Sequence, residues 1–133
     1  MIHFSFTKLV VTDLERCGAF YSEVFGLTEQ TRVRSELAGH PMDEIMYEAT
    51  APGGGIFILL HFSDGAGDAA GAAAGVISGF GTDEIDALFA RAVVAGATVA
   101  QPLADAPHHG VRIGVLADPE GRLIEVVQRL TVG

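Results

Sequence analysis

Glu125 lies in the stretch Arg122 to Gln128, where period-two alternation places it on one strand face with Leu123 and Val127. An apolar setting disfavours the charged form of a carboxyl, which suits Glu125 to work as a general acid or base. The plainer alternative is an ion pair with Lys8 or Arg112, since structural pairs perturb acids as well as catalysis does. Lys8 shares a face with Phe6 and Val10 on the stretch Phe4 to Val11. Its ammonium suits an anionic or carbonyl oxygen of a substrate; otherwise the stem lies on the sheet and the charge goes to solvent. Arg32 and Arg34 alternate along another stretch and could grip a carboxylate through two donors, with exposed strand charge as the alternative. The histidines, His3, His40, His61, His108 and His109, show no paired spacing such as His-x-x-x-His, so a metal site is not signalled by spacing. Cys17 is the single cysteine, which excludes an intrachain disulfide and a cysteine-rich zinc motif.

The elements that must position these groups repeat. Phe4 to Val11 is predicted as a strand, and Thr12-Asp13-Leu14-Glu15 as a capping box opening a helix. Leu14, Cys17, Tyr21 and Val24 recur at helical spacing, and Gly26 supplies a stop. Glu29 to Leu37, Asp43 to Ala49 and Gly55 to Phe62 follow as strands between turns. The second part runs in the same order: strand Val76 to Thr82, a helix carrying Ile85, Leu88, Phe89 and Ala92 that ends near Gly96, then strands Thr98 to Gln101, Val111 to Ala117 and Arg122 to Gln128. Ala51-Pro52-Gly53-Gly54 overlays Asp118-Pro119-Glu120-Gly121 ahead of the two last strands. The expected fold class is α+β, two tandem βαβββ modules (1–62 and 76–133) joined by a small-residue linker at 63–75 and sharing one sheet within a single domain of 133 residues. Phe4, Phe57 and Phe80 are assigned to its core.

Val11-Thr12-Asp13-Leu14-Glu15-Arg16, Ala19-Phe20-Tyr21 and Phe25-Gly26-Leu27, together with Ala117-Asp118-Pro119-Glu120-Gly121-Arg122-Leu123-Ile124-Glu125, resemble the opening and closing motifs of the vicinal oxygen chelate superfamily of glyoxalases, bleomycin-resistance proteins and extradiol dioxygenases. The resemblance implies a cupped, barrel-like mixed sheet with the helices outside and a substrate in the concavity. It also implies divalent-metal ligands on the first and last strands of each module. Those positions fall here on Phe6, Ile58, Ile77 and Glu125, of which Glu125 alone can donate a lone pair. No cofactor is therefore expected and a divalent metal is disfavoured, with relocated ligands such as His61 or His109 as the alternative. Phe6, Ile58, Ile77 and Arg112 are assigned to substrate binding, and Glu125, Lys8 and His109 to catalysis. His109 earns that place because Ala106-Pro107-His108-His109-Gly110 occupies a loop that borders the site in relatives.

Seventeen acids against eight bases give a net charge of −9, which repels phosphate backbones, so nucleic acid is not an expected partner. A membrane is not expected either, because no long apolar run exists, and the solitary cysteine fits a reducing cytoplasm. The expected function is binding of a small, mostly apolar organic molecule, with metal-independent isomerase or lyase chemistry through Glu125. The alternatives are a non-catalytic sequestering protein and a metal-dependent lyase or dioxygenase with relocated ligands. By resemblance the chain is expected to be a homodimer.

Overall fold

The computed structural model describes residues 4–66 and 76–131. His3 and residues 67–75 of the expected linker lie outside the described residues. The chain divides into two compact units, 1–70 and 71–133.

In the first unit the order is β1 (Phe6–Val10), α1 (Leu14–Phe25), β2 (Glu29–Leu37), β3 (His40–Tyr47) and β4 (Ile56–Phe62). They form a four-stranded sheet in the order β1-β4-β3-β2, with β1 parallel to β4 and the other pairs antiparallel. The second unit repeats this with β5 (Ser78–Gly81), α2 (Ile85–Val94), β6 (Thr98–Ala106), β7 (Val111–Ala117) and β8 (Leu123–Arg129), in the sheet order β5-β8-β7-β6. The fold is α+β, with tandem βαβββ modules, and each module has a four-stranded sheet of its own where one shared sheet was expected. Among the described residues no helix is long and apolar enough to cross a membrane.

Helix α1 starts where its orphan amides find an acceptor. Asp13, not Thr12, is the N-cap: its carboxylate accepts from the Arg16 amide at 3.0 Å. Gly26 ends the helix in the left-handed conformation, φ 68°, and donates to the Ser22 carbonyl. The buried stripe Cys17, Phe20, Tyr21 and Val24 faces the sheet, and the Tyr21 ring lies 4.9 Å from that of Phe57 on β4. Each such large side chain stabilises the fold by about 1.5–3 kcal/mol on burial.

Helix α2 lacks a capping side chain of its own at Glu84. Its Ile85 amide donates instead to the Gln128 side chain on β8 at 2.7 Å, so the strand caps the helix. Ile85, Leu88, Phe89 and Ala92 form its buried stripe.

Three local expectations are corrected. Phe4 is 78% exposed, outside both the core and β1, because the ladder begins only at Phe6. Strand β6 does not stop at Gln101 but continues through Pro102 to Ala106, with Pro102 on an edge strand at a register shift between Gln101 and Ala104, where a proline is tolerated. Strand β5 is shorter than Val76 to Thr82; Val76 and Ile77 precede it and are exposed.

Candidate functional site

Alternation sorts the strands of module one into two faces. Thr7, Leu9, Phe57, Leu59, His61, Ile45 and Tyr47 lie on the side of α1. The opposite face carries Phe6, Lys8 and Val10 on β1, Ile56, Ile58 and Leu60 on β4, Met42, Glu44 and Met46 on β3, and Val33 on β2. Ile58, Leu60 and Met42 are buried there, and so is Glu44, whose side chain is only 7% exposed. Lys8 reaches across β4 to place its ammonium 3.0 Å from Glu44 Oε2 and 5.5 Å from the centre of the Phe6 ring. The contact is one of charge, because Oε2 accepts no hydrogen bond of good geometry.

In module two the face away from α2 carries Leu123, Glu125 and Val127 on β8, with Val115 and Ile113 opposite them on β7. Glu125 is paired in register with Gly79 on β5. A Cβ built on Gly79 or Gly81 would meet nothing within 4 Å, so the surface beside Glu125 is open. The turn that delivers this strand is built by the closing motif. Buried Asp118 accepts from the amides of Glu120 and Arg122, both at 2.9 Å, and Gly121 takes φ 85°. Arg122 pairs with Glu120 at 2.7 Å inside the same turn.

The structure gives several of the expected site residues other partners and surroundings. Glu125 is exposed, not enclosed by apolar side chains. Its expected ion-pair partners are both engaged elsewhere. Lys8 is held by Glu44, and Arg112 reaches Asp86 on α2 and Asp105 on β6, each at 3.1 Å. Those two carboxylates raise the Arg112 guanidinium above its ordinary range. Arg112 shares the α2 side of its sheet with Gly114 and Leu116, the face opposite Glu125. Phe6 is half exposed, Ile58 is buried, Ile77 is exposed just before β5, and His109 is exposed in a single 3-10 turn, Pro107–His109.

Glu44 escaped the sequence reading. Its signal was the run Met42-Asp43-Glu44-Ile45-Met46, in which alternation gives Glu44 to the face of two methionines. The acid at Asp43 beside it masks that pattern.

Arg32 and Arg34 work on the α1 side. They border an open cleft of about 500 Å³ whose other residues include Leu14, Glu15, Asp43 and His61. Arg32 is held by Glu15 and by Glu29, the latter at 2.7 Å, and its hydrogen bond keeps the Glu29 carboxyl below the usual range. Arg34 bonds Asp43 at 2.8 Å. His61 donates through Nδ1 to the Val11 carbonyl, at 3.0 Å, as a bridge from β4 to the end of β1. The internal carboxylates thus occupy these guanidinium groups.

The donor set does not fit the metal that the resemblance implies. Phe6, Ile58 and Ile77 offer hydrocarbon at three of the four positions, and Glu125 alone is too few for a stable divalent site. Among the described residues no group of three or more His, Cys, Asp or Glu side chains could hold a metal ion.

Each of the tandem βαβββ modules carries a helix on one face of its sheet and a mostly apolar opposite face. The model described as the Glyoxalase/Bleomycin resistance protein/Dioxygenase superfamily matches residues 3–126, and the chain belongs to that superfamily. No curated protein matches the chain. Among solved structures it is similar to a glyoxalase family protein from Bacillus cereus, with 20% identity, a TM-score of 0.79 and coverage of 98% of this chain and 96% of the other. A glyoxalase-related enzyme from Fulvimarina pelagi is similar at 24% identity and TM-score 0.67, over 97% of this chain and 89% of that one. TioX from a Micromonospora species shares 26% identity at TM-score 0.64, covering 96% and 99% of the two chains.

Proposed function

We propose that the protein binds a small, largely apolar organic molecule bearing a carbonyl or anionic oxygen, and that it moves a proton on that ligand as a metal-independent lyase or isomerase. Glu125 is the acid/base group of this reading. The observation that carries it is the placement of Glu125. The carboxylate is exposed on a face otherwise made of Leu123, Val115 and Val127, with the bare backbone of Gly79 beside it. A proton-transferring group must be reachable by the substrate, and the glycines leave the room for that approach. Within module one Lys8 offers a donor to a ligand oxygen with the half-exposed Phe6 ring as apolar contact; within module two Ile77 offers apolar contact and His109 carries protons at the exposed 3-10 turn. Arg112, engaged with Asp86 and Asp105 on the α2 side, has no part in binding.

Proton transfer can be read without knowing the natural substrate. In D₂O with a panel of small enolisable ketones and lactones, the wild-type protein is expected to exchange a hydrogen next to the carbonyl, seen by proton NMR. Glu125→Gln should slow that exchange by about 10²-fold or more while leaving ligand binding intact. Equal exchange by both proteins refutes the role of Glu125. A second reading, sequestration without turnover, is favoured by the exposure of Glu125, since water competes at an open carboxylate. It requires that bound ligand be recovered unaltered with no deuterium.

A further inference from the structure

The Lys8–Glu44 pair is not something the fold requires, and the second module supplies the control. Overlaying the turns before the last strands sets Ile58 against Glu125 and Leu60 against Val127. Strand registers then carry the comparison across each sheet. Lys8 is beside Ile58 as Gly79 is beside Glu125, and Glu44 is beside Leu60 as Ile113 is beside Val127. The same two sheet positions are therefore an ion pair in module one and a glycine and an isoleucine in module two. A sheet of the same order forms with either.

An enclosed ion pair also contributes little to stability, since taking both charges out of water offsets most of their attraction, and apolar replacements are often as good. Glu44 is nevertheless buried among Met42, Ile58 and Leu60, and its oxygen nearest Lys8 lacks a hydrogen bond. Lys8 is the more open partner, its side chain 24% exposed. An ammonium has three donors, and one ion pair and one ring contact leave N–H groups for a ligand oxygen.

We infer that Lys8 donates to a neutral carbonyl oxygen of the ligand, and that Glu44 determines specificity by cancelling the Lys8 charge, so that a ketone or aldehyde is accepted and a carboxylate of the same shape is rejected. A ketone oxygen needs only a donor. A carboxylate approaching the same ammonium meets the Glu44 charge about one contact distance further on, and in a poorly screened site that repulsion is strong. Glu44 does not touch the ligand in this scheme; it acts through Lys8. The inference rests on the proposed binding of a small, oxygen-bearing apolar molecule and narrows the class of that oxygen.

Acetophenone and benzoate share a ring and differ in this group, which makes them suitable probes at neutral pH. Titrated into isotopically labelled full-length protein, acetophenone is expected to shift the signals of Lys8 and of the Ile58 and Leu60 methyl groups, with a Kd at least about tenfold lower than that of benzoate. Glu44→Gln should tighten benzoate by about tenfold and leave acetophenone nearly unchanged. The paired change Lys8→Met with Glu44→Ile, which copies the apolar character of module two, should melt no lower than wild type and bind both probes with little preference. Equal affinity of wild type for the two probes, or a preference that Glu44→Gln leaves intact, overturns the specificity role. A paired variant that melts well below wild type overturns it too, because the ion pair would then be structural. If neither probe shifts any signal of the wild-type protein, the binding reading itself fails, an outcome distinct from loss of selectivity.

Discussion

Tyr47 brings its hydroxyl into the packed layer between α1 and its sheet, where a Cβ on Gly18 would come within 3.3 Å of it. Burial pushes this phenol above its ordinary 10.0, with the Ser22 hydroxyl partly opposing the shift. The folded chain therefore keeps a proton that the unfolded chain would release. Stability from this group is complete below the unfolded value and is lost as pH rises through the folded one. Urea unfolding at pH 8 and pH 11 should show a loss of stability at the higher pH that Tyr47→Phe reduces; equal losses in both proteins would contradict it. The same scale shows why the ion pairs were hard to anticipate. Lys8, Arg32, Arg34 and Arg112 all have carboxylate partners, yet none of these partners follows from a cation's own neighbourhood in sequence except Glu29, on the same strand as Arg32.

Helix starts and close strand contacts carry the predictions that belong to elements. The Asp13 carboxylate caps the first turn of α1 by accepting from the Arg16 amide, so Asp13→Ala should cost about 1 kcal/mol in denaturant unfolding. The N-cap is thus Asp13 and not the Thr12 that the Thr12-x-x-Glu15 pattern suggested. A hydroxyl and a carboxylate one residue apart can both fit a capping pattern, and backbone geometry at the helix entrance chooses between them. On β7, a Cβ at Gly114 would stand 2.6 Å from Phe89 Cζ and 3.0 Å from Leu103 Cδ2. Gly114→Ala should therefore destabilise module two by about 1–3 kcal/mol, since the Phe89 ring is buried and cannot swing clear. A melting temperature unchanged by Gly114→Ala would show that the ring moves freely. Element boundaries in the sequence were best where a glycine or a short turn marks them, as at Gly26 and Gly110, and poorest on β6, expected to end at Gln101 but running on through Pro102 at the sheet edge.

At the scale of the chain, duplication explains both what recurs and what differs. Val94 is 88% exposed at the end of α2, and Val93 beside it and Val99 near the start of β6 are exposed too; the homodimer expected from the resemblance is a matter for measurement. Sedimentation equilibrium at micromolar concentration should give twice the chain mass of 13.9 kDa; a single-chain mass would refute the expectation. The order of elements in both modules could be read from the chain because period-two and helical alternation are local properties, repeated here with matching turns. That Phe6, Ile58 and Ile77 stand at positions the resemblance gives to metal ligands, and offer no lone pair there, was equally legible. Which acid meets which base was not legible. Strand register and sheet order are set by contacts between distant segments, and a one-residue slip sends a side chain to the other face. Only those contacts enclose Glu44 beside Lys8, turn Arg112 away from Glu125, and leave Glu125 open to solvent.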